Sequence, residues 1–244
     1  MDWTKAKSIL IVALIVTNLV LIITYILQNN DFRNDRKEME DVTIRLLAEK
    51  NIFVKTEIPE GKHRMPKLTV QYDKVNEDVI REQLSAQKAL PDSKQTDEDL
   101  ISLTSDFLEK CGLLTENVTF ESIERTGKDV RLTYKNYING IAIEDSYAVF
   151  TISDGKIIDF ERYWLNPVKT NSIEKEVIPA AAALIKFMSE NTEEEKINVE
   201  DISLVYWLNS ETFNAESPVT DTAFPAWKIT YNNGKLRYIP AWEQ

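Results

Sequence analysis

A chain of 244 residues with 40 acidic and 29 basic side chains carries a net charge of −11, which argues against nucleic acid or an anionic lipid surface as its partner. One cysteine excludes an intrachain disulfide, and one histidine leaves no plausible Ser-His-Asp or Cys-His arrangement and no histidine-built zinc site. Six scattered glycines form no phosphate-cradling loop, so the chain is expected to be non-enzymatic and to bind no metal or cofactor.

From Ile9 to Leu27 the chain runs nineteen residues without a charge, fourteen of them Leu, Ile or Val. As a helix this run spans about 28 Å, the thickness of a bilayer's hydrocarbon core. Fourteen such side chains contribute roughly −4 to −8 kcal/mol to insertion, so Asn18 near the middle is carried easily. The run is too long for a signal peptide's apolar core and no Ala-x-Ala site follows it, so it reads as an uncleaved anchor. The flanking charges do not decide its orientation, but a short tail inside and a large domain outside is the simpler topology. Thr17, Asn18 and Thr24 are polar groups that lipid cannot satisfy and another helix can, which makes them the candidate contacts for a partner within the membrane. Beyond Leu27 lie 27 basic and 39 acidic residues, a net charge of −12.

The stretch after the anchor turns helical around Val42, Leu46 and Leu47, and "IFVKTEI" then reads as a strand. "TEIPEGKHRMP" is a turn-rich loop in which His63 needs no chemical role, and "LTVQYD" is a short strand. Helices follow from Asn76 to about Lys88 and from Thr96 to Cys111. In the second, Thr96 is the N-cap, and Asp97, Glu98 and Asp99 complement the helix dipole rather than bind metal. Cys111, at that helix's end, reads as a small apolar side chain. Val118–Arg125, Val130–Tyr137, Ile141–Ile152 and Lys156–Leu165 form an antiparallel meander jointed at Gly127, Asn139-Gly140 and Asp154-Gly155.

"NPVKTNS" reads as a linker, after which the pattern restarts. A helix around Ile178 to Glu190 places Ile178, Ala182 and Ile185 on one face, and the strands "DISLVYWLN", "AWKITYN" and "KLRYIPAW" follow. The hairpin "TISDGKIIDFERYW" is thus weakly echoed by "TYNNGKLRYIPAW". Between the first two of these strands, Ser210 to Pro225 reads as a long loop whose Phe213 and Phe224 are candidate partner-binding residues. The expected fold is α+β: a transmembrane helix, then an extracytoplasmic region of two α+β units with antiparallel sheets packed against helices. Residues 1–7 would be a cytoplasmic tail, 8–27 the membrane helix, 28–40 a juxtamembrane segment, and 41–168 and 169–244 the two units.

The opening Met1-Asp2-Trp3, Lys5, Lys7, the aliphatic run and Asn18-Leu19 resemble the N-terminus of the YycI (WalI) family of Gram-positive bacteria. "YINGIAIEDSYAVFTISDGKIIDFERYW" and "PAWKITYNNGKLRYIPAW" resemble that family's extracytoplasmic hairpins and are similar to strands of PepSY-type modules, which marks the second unit as PepSY-like. The resemblance implies a single-pass cell-membrane protein, N-terminus cytoplasmic and C-terminal domain outside. With a YycH-like partner it would regulate the essential sensor histidine kinase WalK (YycG), and so cell-wall metabolism. It implies contacts between transmembrane helices, carries over no catalytic residues, and leaves both homo- and hetero-oligomers open. The alternative of a different class is a PepSY-like extracytoplasmic inhibitor or chaperone of a secreted peptidase.

Overall fold

The computed structural model describes residues 39–60, 63–91, 95–170, 173–191, 195–208 and 220–242, together with Leu14, Thr17, Asn18 and Leu21. Among the described residues no helix is long and apolar enough to cross a membrane. Apart from those four residues, the expected membrane helix lies outside them.

Helix α1 covers residues 39–49 of the described chain. Thr43 and Leu47, one turn apart, are buried, and the helix stops where Asn51 turns left-handed at φ 59°, a conformation asparagine tolerates. Strand β1 (Ile52–Val54) lies parallel to a distant strand, β10. The expected loop that follows contains a two-residue strand, β2 (Arg64–Met65), which pairs with β9 (Lys175–Glu176). The side chain of Asn76 caps α2 (Glu77–Ala86) by accepting from the N–H of Asp78, 3.1 Å away. Thr96 and Asp99 form a reciprocal capping box on α3 (Asp97–Lys110). The three acidic residues of that first turn are therefore explained by the helix itself.

The meander consists of β4 (Val118–Thr126), β5 (Asp129–Ile138), β6 (Ile141–Ser153) and β7 (Lys156–Tyr163), close to the expected bounds. One face carries Leu132, Ala148, Phe150 and Ile157, which close a core with Leu100, Phe107 and Leu108 of α3 and with Trp164. Gly155 sits at φ +71°, and a Cβ there would stand 2.4 Å from the carbonyl of Leu90, so no other residue fits this turn.

Three readings from sequence are corrected. "NPVKT" is not a linker: β8 (Leu165–Thr170) pairs antiparallel with β3 (Leu68–Tyr72), and the expected boundary between residues 168 and 169 runs through it. Helix α4 (Ala180–Glu190) does not turn Ile185 inward; it buries Ala180, Ala181, Ala183, Leu184 and Phe187, with Ala182 partly buried against the same core. The alanines let the helix backbone approach the sheet, while the larger Ile185 is left on the outside. Finally, residues 220–225 are not loop but the start of β11 (Thr220–Tyr231), between β10 (Ile197–Trp207) and β12 (Lys235–Pro240). The two echoed hairpins also differ, since Asp154 and Gly155 make a two-residue turn whereas Asn232, Asn233 and Gly234 make a three-residue one, all at positive φ.

Ten strands form one largely antiparallel sheet in the order β4-β5-β6-β10-β11-β3-β8, with β7 on β6, β1 on β10 and β12 on β11. The result is α+β, with four helices among the described residues. Two cores line the sheet. The second gathers Leu47, Ile52, Leu68 and Val70 from early in the chain with Leu184, Phe187, Trp227 and Ile239 from late in it.

Candidate functional site

The two cores meet at one strand. Ile143 of β6 belongs to the core built around α4, whereas Ala148, Phe150 and Ile152 of the same strand belong to the core built around α3. Between them the register breaks: Lys135 faces Tyr147, but its neighbour Asn136 faces Ile143, so Glu144, Asp145 and Ser146 are extruded as a bulge. Just before it, β6 touches β10 through a single parallel pair, Ile143 with Tyr206.

Each of the three extruded side chains holds a different part of the sheet. Glu144 pairs with Lys135 of β5 at 3.0 Å and Lys228 of β11 at 3.1 Å, and accepts from the Tyr238 hydroxyl of β12 at 3.3 Å. Asp145 accepts the N–H of Leu208, just past β10, at 3.2 Å. Ser146 accepts the N–H of Leu165, at the start of β8, at 3.0 Å, and Asn136 donates to the carbonyl of the same residue at 2.8 Å. Trp207 stacks on Tyr238, their rings 5.3 Å apart and within 8° of parallel. Five strands are thereby tied to three consecutive residues.

The charges here are tuned by opposing effects. Burial alone would raise the Glu144 carboxyl, but Lys135 and Lys228 more than offset it and hold it below the ordinary carboxylate range. Asp145 goes the other way, pushed up by burial and by the nearby Glu144 against the lowering effect of the Leu208 N–H. Burial and the two carboxylates push the Tyr238 hydroxyl up, so it stays a neutral donor. Burial also raises the Cys111 thiol, which keeps it protonated and a poor nucleophile. Among the described residues no three His, Cys, Asp or Glu side chains are placed to hold a metal ion. The arrangement has donors, acceptors and a fixed geometry, and it can clamp; it has no activated nucleophile.

With respect to the residues singled out from sequence, Leu14, Thr17, Asn18 and Leu21 are helical and exposed. Their spacing of i, i+3, i+4 and i+7 puts them on one helix face. Thr24 and Phe213 lie outside the described residues. Phe224 is half-buried in β11, opposite Trp207, with the Lys67 ammonium 4.5 Å from its ring centre. The helix residues and Phe224 are not part of the bulge network. Sequence reading passed over Glu144, Asp145 and Ser146, although a run of three polar residues inside an alternating strand, "IAIEDSYAVF", is the pattern of an interrupted register.

The YycI protein family matches residues 29–241. The chain belongs to the YycI family. The match covers all but the last three residues of the two expected units, and it includes the bulge and the turns of both echoed hairpins. The comparison with curated proteins finds no match. Among solved structures the chain is similar to the C-terminal domain of YpeB from Bacillus megaterium, with a TM-score of 0.37 and 15% identity over 64% of this chain and 62% of that one.

Proposed function

We propose that the chain is a non-enzymatic, membrane-anchored regulator of a sensor histidine kinase of the WalK (YycG) type, acting with a YycH-like partner on cell-wall metabolism. The family match over residues 29–241 carries this reading. In it, the N-terminus is cytoplasmic, residues 8–27 cross the membrane, and the sheet lies outside the cell. Thr17, Asn18 and Thr24 dock against the helices of the kinase and the partner. The position of Asn18 near the middle of the apolar run supports such docking, since polar groups in lipid gain about 0.6–2 kcal/mol from an interhelical partner.

Replacing Asn18 with Leu should weaken co-purification with the kinase from membranes by about threefold to thirtyfold and leave the melting temperature of the outer sheet unchanged. Unaltered co-purification and signalling would remove the helix contact from the proposal. Cross-linking in intact membranes should recover kinase and YycH-like protein together. The reading as a peptidase inhibitor depends on an aromatic loop from Ser210 to Pro225, and it is weakened because Phe224 belongs to a strand.

A further inference from the structure

Among the described residues, α3 packs on one face of the meander sheet. Leu132, Ala148, Phe150 and Ile157 point toward α3, and the residues between them point the other way. On that second face Tyr147 of β6 and Tyr163 of β7 are direct cross-strand partners with ring centres 6.3 Å apart, and Tyr72 of β3 continues the row 5.2 Å from Tyr163. Tyr72 is 38% exposed and the other two are half-buried. The Tyr147 hydroxyl donates to Glu161 at 2.7 Å, which fixes the ring before anything binds.

Tyrosine presents large contact area at small entropic cost and is enriched where proteins meet. The charge around the row is one-sided. Asp159 and Glu161 of β7 and Glu124 of β4 are exposed, and Asp145 and Asp221 approach Tyr163 from the seam and from β11. Arg131 is the exposed cation beside them, since Lys135 is committed to Glu144. A second copy would bring the same carboxylates against themselves, in a chain already at net −11. The exposed carboxylates and tyrosine rings suit arginine and lysine side chains, which gain ion pairs and cation–π contacts together.

We infer that the face built on Tyr72, Tyr147 and Tyr163, ringed by Asp159 and Glu161, docks a basic, arginine- or lysine-bearing surface of another protein. This deepens the proposed regulatory reading and rests on it, because it gives the contact outside the membrane a place and a chemistry. It is separable from the helix contact, which the Asn18→Leu variant tests by co-purification from membranes.

The test uses the full chain in lipid nanodiscs, at 0.15 M salt, with three probes: an arginine-rich dodecapeptide, its glutamate counterpart, and solubilised neutral glycan strands. Binding of the arginine peptide alone is expected. It should fall at least tenfold in the double variant Asp159→Lys, Glu161→Lys and at least fivefold in Tyr72→Ala. A control with the same charge change elsewhere, Glu49→Lys with Asp78→Lys, should bind like the unaltered chain. Equal loss in that control would show general charge attraction and overturn the assignment. So would glycan binding that Tyr72→Ala abolishes, or a dimer, seen by sedimentation, that the Asp159 and Glu161 variants dissociate. Circular dichroism of each variant separates lost binding from lost fold.

Discussion

Asp145 and Glu144 are neighbours whose protons respond to pH with opposite sign. Asp145 titrates above its unfolded value, so its contribution to stability is present below the unfolded pKa and is lost as pH rises through the folded one. Glu144 titrates below its unfolded value, so its contribution is present at neutral pH and is lost as pH falls through the folded pKa. Asp145→Asn keeps an oxygen for the Leu208 N–H and removes the charge. It should raise the melting temperature at pH 7 by about 2–4 °C, the equivalent of about 1 kcal/mol in a domain of this size. The gain should vanish as the pH is lowered toward the carboxylate range, and a gain independent of pH would mean that burial of the charge is not its source. Glu144→Ala strands two ammonium groups that are themselves 15% and 17% exposed, and should cost about 3 kcal/mol in urea unfolding at pH 7. These residues were legible only in part. Their types, in an alternating strand, mark a break; three of their partners, Leu208, Lys228 and Tyr238, lie 63, 84 and 94 residues away, and no local pattern encodes that.

At the scale of elements, local chemistry decided the outcome wherever an element is held by its own neighbours. The capping box of α3, the Asn76 cap of α2 and the paired turn residues of the meander were readable because each acts within a few residues. The errors came where a distant strand decides. "NPVKT" has the look of a linker, with a proline and all its other residues exposed, and becomes β8 because β3 supplies its hydrogen bonds. The start of β11 read as loop for the same reason: residues 220–223 pair with β3, whereas the preceding strand β10 pairs with β11 only from Phe224 onward.

One edge shows how an element can be protected by a side chain. Gln87 donates to the carbonyl of Ile157 at 2.6 Å and accepts its N–H at 2.9 Å, as a neighbouring strand would, and Leu90 donates to Gly155 at 2.9 Å. Gln87→Ala should cost about 1–2 kcal/mol and expose the outer edge of β7, so sedimentation should show concentration-dependent association absent from the unaltered chain. Gly155→Ala should be worse than Gly127→Ala, by about 2 kcal/mol, because both sit at positive φ and only Gly155 has a backbone carbonyl in the way.

For the molecule as a whole, the arrangement of two cores on one sheet makes the bulge the place where they are coupled. Residues 143 and 148 of a single strand serve different cores, and the route between them passes through Glu144, Asp145 and Ser146. If these side chains transmit stability from one core to the other, the unaltered chain should unfold in one calorimetric transition, with van't Hoff and calorimetric enthalpies equal. In Glu144→Ala combined with Ser146→Ala, the ties to β5, β11, β12 and β8 are lost together. The ratio of the two enthalpies should then depart from one, and amide exchange should slow less in whichever core is the weaker, with Phe150 and Ile229 as reporters on the two sides. Retention of a single transition with both reporters exchanging at one rate would place the coupling in the continuous sheet ladder instead.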